Sequence, residues 1–129
     1  MINEAFDVAT YIGQKLSSLL TLGTNLFVGF EPESPDNCVT VYSTISDASE
    51  YTLDGQVLEK RRVQIRVRNR KPFDGLTLMN SIASLFDPGL RLSINFNTYQ
   101  LVQKVGGIYN IGVDERMRTV YVVNLDVIV

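Results

Sequence analysis

One stretch dictates the architecture more than any other. Residues 61–70 read Arg-Arg-Val-Gln-Ile-Arg-Val-Arg-Asn-Arg. Val63, Ile65 and Val67 recur every second residue, and Arg62, Gln64, Arg66, Arg68 and Arg70 occupy the positions between them. A period of two belongs to a β-strand, whose side chains point alternately to opposite faces. The strand therefore needs an apolar layer against its valine face, and its other face carries a charged row directed outward. Pro72 ends it. A helical pattern follows, with Leu76, Met79, Ile82, Ala83 and Phe86 as its apolar stripe, Asp74 as its expected cap and Asp87-Pro88-Gly89 as its stop.

The rest of the chain supplies the partners. Phe6, Ala9, Ile12, Leu16, Leu19 and Leu20 fall at spacings of three and four, one stripe of a first helix with Asn3 as N-cap and Gly23 as stop. Residues 25–30 and 38–43 read as strands, separated by a loop with two prolines, 31–37. Residues 44–60 lack a clear period but contain Asp54-Gly55, a type I′ turn signal, so an arm or hairpin is expected there. Residues 90–95, 99–105 and 108–113 read as three strands joined at Asn97-Thr98 and Gly106-Gly107, and residues 118–129 as a long closing strand. The order α-β-β-β-α-β-β-β-β predicts a single α+β domain. Its sheet is mostly antiparallel and twisted, with two amphipathic helices packed on one face.

Composition narrows the chemistry. The 129 residues include no His, no Trp and one Cys. No Ser-His-Asp or Cys-His unit can be built from them, nor a His-ligated zinc site or an internal disulfide. No cofactor or metal is expected, and Cys38, between strand residues, reads as a small buried hydrophobe. Asp54, Glu59 and Lys60 have a weak likeness to the acid–acid–lysine set of metal-dependent nucleases. Adjacent strand residues face opposite sides, however, so Glu59 and Lys60 cannot share one metal. The N-terminus lacks a signal-peptide pattern and no apolar run is long enough to span a bilayer, so a cytosol-like setting without membrane attachment is expected.

Charge is divided unevenly. Residues 1–57 hold Lys15 against eight acids, and residues 58–129 hold the other eleven bases against six acids, within a net charge of −2. Folding either interleaves the two halves or leaves complementary faces for a partner. Seven of the twelve bases lie between Lys60 and Lys71. This row fits a protein–protein contact, a solvated strand face protected against edge pairing, or a phosphate-backbone footprint. The low sequence pI of about 5.0 speaks against dedicated DNA binding.

The order of these segments resembles the tail terminator and minor capsid (tail completion) proteins of long-tailed bacteriophages. The likeness is carried by Pro35-Asp36-Asn37-Cys38-Val39-Thr40-Val41-Tyr42, a variable polar segment, Val63-Gln64-Ile65-Arg66-Val67-Arg68 with its helix, and Gly112-Val113-Asp114-Glu115-Arg116-Met117-Arg118 before a strand with Asn124. It implies a ring, typically hexameric, that caps the tail tube, halts its growth and meets the head connector at the tail–head junction of the virion. DNA would pass through the lumen without sequence-specific binding, and synthesis would occur in the host bacterial cytoplasm. A head-completion or connector protein of the neck is the alternative, and a nucleic-acid-binding module a second one. Arg62, Arg66, Arg68, Arg70 and Lys71 on the basic strand, with Asp47, Glu50 and Asp54 in the acidic arm, are the residues expected to meet protein partners. Two departures stand out: residues 45–50 lack the Gly-Pro character of relatives, and residues 114–118 lack a glycine between acid and arginine.

Overall fold

The computed structural model describes residues 3–44, 50–53 and 56–129. The elements are α1 (Glu4–Lys15), β1 (Leu26–Val28), β2 (Cys38–Thr44), β3 (Glu50–Leu53), β4 (Gln56–Asn69), α2 (Pro72–Ser84), β5 (Leu90–Ile94), β6 (Asn97–Val113) and β7 (Thr119–Ile128). The sheet runs β1-β2-β4-β7-β6-β5, and β3 pairs with the first residues of β4. The alternating strand is central, with β2 antiparallel on one side and β7 antiparallel on the other. The α+β expectation holds, but the sheet is mixed, because β1 lies parallel to β2.

Its valine face is the core. Val63, Ile65 and Val67 have no exposed surface, and they pack in one cluster with Val8, Ala9 and Ile12 of α1, with Met79 and Ile82 of α2, and with Val123, Leu125 and Val127 of β7. Tyr11 of α1 meets Phe86 beyond α2 with ring centroids 5.8 Å apart. Both helices thus share one apolar layer on one face of the sheet, as a sheet with one apolar side requires.

Several local expectations are corrected. The Gly106-Gly107 pair does not turn the chain. β6 runs through it, and between Val105 and Tyr109 the register against β7 shifts. Gly106 takes φ +69°, a conformation open to glycine, so the extra residues are absorbed as a bulge while the long β7 continues as partner. The β5–β6 turn falls at Asn95-Phe96, ahead of Asn97-Thr98, which are already paired with β5. α1 ends at Lys15, and its stripe is rotated from the expected one. Ala5, Asp7, Val8, Ala9 and Ile12 are buried, whereas Phe6 and Leu19 are exposed. The N-cap of α2 is Lys71 and makes no side-chain cap; Pro72 begins the helix, and Asp74 sits in its first turn. A proline there loses nothing, because the first N–H groups of a helix have no intrahelical partner.

Candidate assembly surfaces

The arginine face is where expectation and structure part most. Because β1 and β2 are parallel neighbours, the chain leaving β1 must travel back to the start of β2 before pairing. Residues 29–37 make that crossing as a strap beside Arg66, Arg68 and Arg118. Arg68, expected to point outward, is 3% exposed. Its guanidinium donates to Glu31 Oε1 (3.1 Å) and to the backbone carbonyls of Pro32 (2.6 Å), Pro35 (2.7 Å) and Asp36 (3.1 Å). A planar, five-donor fork suits such a task, because one side chain can satisfy several diverging carbonyls. Arg66 donates to the other oxygen of Glu31 at 3.1 Å.

Arg118 pins the same strap from β7's end. It donates to Glu33's carbonyl oxygen at 2.6 Å, to Asp114 Oδ2 at 2.7 Å and to Asp36 Oδ1 at 3.3 Å. Asp36 is held below the usual carboxylate range, chiefly by the hydrogen bond from Arg70, with Arg118 adding to it. Partial burial pushes Asp114 upward. Donation from the backbone N–H groups of Arg116 and Arg118 and from the Arg118 guanidinium outweighs this, so Asp114 is also lowered. Arg118 is raised, since its pairing with Asp114 and Asp36 overcomes the cost of desolvation.

The charge halves therefore interleave. Glu4 pairs with Arg61, Glu31 with Arg66 and Arg68, Asp36 with Arg70 and Arg118, and Glu33 with Arg116. Of the residues expected to meet partners, Arg66 and Arg68 are engaged within the subunit. Arg62 pairs with Asp126 across β4 and β7, and Arg70 remains more than half exposed while bonded to Asp36. Lys71 is exposed at the start of α2. Glu50 opens β3 opposite Glu59, and Asp47 and Asp54 lie outside the described residues, as does the nuclease-like set that needs Asp54.

A surface not expected from the sequence lies on β6. β5 pairs with β6 only as far as Val102, and the Lys104 N–H is taken by the Phe86 carbonyl at 3.2 Å, so, among the described residues, 105–113 have β7 as their only paired strand. Along this edge Tyr109, Ile111 and Val113 are each more than half exposed. Bare edges of this kind are templates for a further strand, and contiguous exposed apolar side chains mark contact surfaces. Its sequence signal lies in Gly106-Gly107, which reads as a turn; within β6 this pair and Gly112 both fall at register shifts, bulges near a rim.

The opposite end of β6 is fastened to α1. The carboxylate of Asp7, 1% exposed, accepts from Asn95 Nδ2 (2.8 Å), Asn97 Nδ2 (2.9 Å) and the Tyr99 hydroxyl. Burial and this carboxylate together push the Tyr99 phenol far above its ordinary range.

A family model described as "Bacteriophage tail terminator protein" matches residues 15–129. A comparison with curated proteins finds no match.

Proposed function

The chain belongs to the bacteriophage tail terminator family, and from that premise we propose that it forms a homo-oligomeric ring that caps the tail tube, stops its growth and joins the tail to the head connector. A structural role in tail assembly, as a component of the virion, follows from the family itself, which is not a family of enzymes. The ring is the finer reading, with a hexamer as the expected size and DNA passing through the lumen. The bare edge of β6 carries it. A cyclic ring needs two different patches on each subunit, so that every copy offers one and receives the other. The edge at residues 105–113, with Tyr109, Ile111 and Val113 exposed, is one such patch. Arg66 and Arg68 cannot be the other, because both are spent on Glu31 and the strap.

The test is tube length. Tail-tube protein is polymerised with and without this protein, and lengths are measured by electron microscopy. Tubes that stop growing when the protein is present, and that resume growth with Ile111→Asp, support the reading. Tubes that lengthen equally with saturating wild-type protein refute it. Binding to connector protein under those conditions would move the role to completion of the neck.

A further inference from the structure

The β5–β6 turn is built at a cost that the subunit does not recover. Asn95 has φ +51° and Phe96 φ +64°. Asparagine tolerates the left-handed region, but a phenylalanine there is a genuine outlier. Phe96 is fully exposed, with a relative exposure of 110%, so its ring gains nothing from the subunit's core. The turn is nevertheless held rigidly. Asn95 and Asn97, on either side of Phe96, both bind the buried Asp7 carboxylate, and Asn95 also reaches the Thr10 hydroxyl at 3.3 Å. A strained, fully exposed aromatic on a clamped turn is a preorganised anchor, the residue type that dominates contact energies when it fills a pocket.

The chain also carries a socket. A groove of about 310 Å³ lies between the turn after α1 and α2, with Leu19, Leu20 and Leu78 as its apolar wall, Asp74 and asparagines on its polar side, and Cys38 at the sheet's end. Leu19 stands 57% exposed at this groove. The turn and the groove lie at opposite ends of the sheet. Leu101 pairs with Ile128 and Ile128 with Lys60, whereas the groove begins at Asn69, and the turn lies beyond Leu101. Nine strand residues span about 30 Å, so Phe96 cannot reach the groove of its own subunit.

We propose that Phe96 of one copy seats in the Leu19–Leu78 groove of the next, as a contact of the ring. The proposal rests on the ring reading above. It supplies what a closed ring needs: two unlike patches, far apart on one chain, one a knob and one a hole with room for it. The knob's conformation sharpens the test. Glycine adopts φ +64° without penalty, so Phe96→Gly relieves strain in the free subunit while removing the anchor.

The experiment is sedimentation velocity with light scattering over a concentration series, on wild type, Phe96→Gly and Leu19→Arg. Both variants are expected to weaken self-association at least about 30-fold. Phe96→Gly is expected to keep or raise the melting temperature, which separates loss of a contact from loss of folding. An equimolar mixture of the two variants is expected to yield a heterodimer and no larger species, because only one productive knob–hole pair remains between them. Variants that assemble as the wild type does overturn the contact while leaving the ring reading intact. A wild-type chain that stays monomeric throughout overturns the ring reading and this contact together.

Discussion

Replacing Arg68 with methionine keeps the side chain's apolar stem and removes its guanidinium. Four strong interactions vanish at once: the ion pair with Glu31 and the bonds to the carbonyls of Pro32, Pro35 and Asp36. Removing one partner of a buried ion pair costs about 3–5 kcal/mol, because the remaining groups stay desolvated. Here the strap is only partly buried, with Glu31 17% exposed at its side chain, so water can reach some of the orphaned oxygens. The expected cost is about 3 kcal/mol, at the low end of that range, or roughly 10 °C in melting temperature for a chain of this size. Arg68→Lys keeps a positive charge near Glu31 but cannot fork to three carbonyls, and should lose about half as much. Equilibrium unfolding in urea measures both, and a double-mutant cycle with Glu31→Gln isolates the ion pair. A cost below about 1 kcal/mol for Arg68→Met would refute the reasoning. It would mean that water satisfies the strap as well as arginine does.

Two further outcomes follow from the other polar clusters. Asp7→Asn leaves one oxygen for three donors and turns an amide toward them, so stability should fall by about 2 kcal/mol, with faster amide exchange at residues 93–98; unchanged exchange there would show that the turn does not depend on the carboxylate. Asp36 and Asp114 titrate below 3.8 in the folded state, so their contribution is complete above that pH and is lost as pH falls through their lower folded values. Urea midpoints of wild type and an Asp36→Asn, Asp114→Asn double variant should therefore differ at pH 6 and converge as acid protonates both carboxyls in the folded state, and parallel curves would contradict the assignment.

What the sequence discloses divides along physical lines. Val63, Ile65 and Val67, and the alternation of β7, are legible because a period of two has one structural meaning when one face is covered. The Asn3 cap is equally local: its side chain accepts from the Phe6 N–H at 3.0 Å, as expected of an N-cap. The burial of Arg68 is not local. It depends on β1 lying parallel to β2, which sends residues 29–37 across the sheet, and no pattern within 61–70 carries that information. The uneven charge division had two readings, and the strap decides for interleaving, since four of the first half's acids end on arginines of the second. Gly106-Gly107 failed for a different reason. A glycine pair signals positive φ, but whether the chain then reverses or bulges is set by the partner strand, and β7 is long enough to carry β6 onward. The exposure of the β6 edge and of Phe96 is not local either, because each is defined by what, among the described residues, does not cover it.

The position of β7 has a consequence for how the subunit comes to exist. It follows every other described element in sequence, yet it lies between β4 and β6 in the middle of the sheet. Neither flanking strand can complete its pairing until residues 119–128 have cleared the ribosome, so no earlier portion can fold as a stable unit during synthesis. Formation of the sheet therefore waits on residues 119–128 and is dominated by contacts between distant residues, at a rate well below that of a helical bundle of the same length. A ribosome stalled before Thr119 would hold a chain that is collapsed at most, with its strand edges open to chaperones.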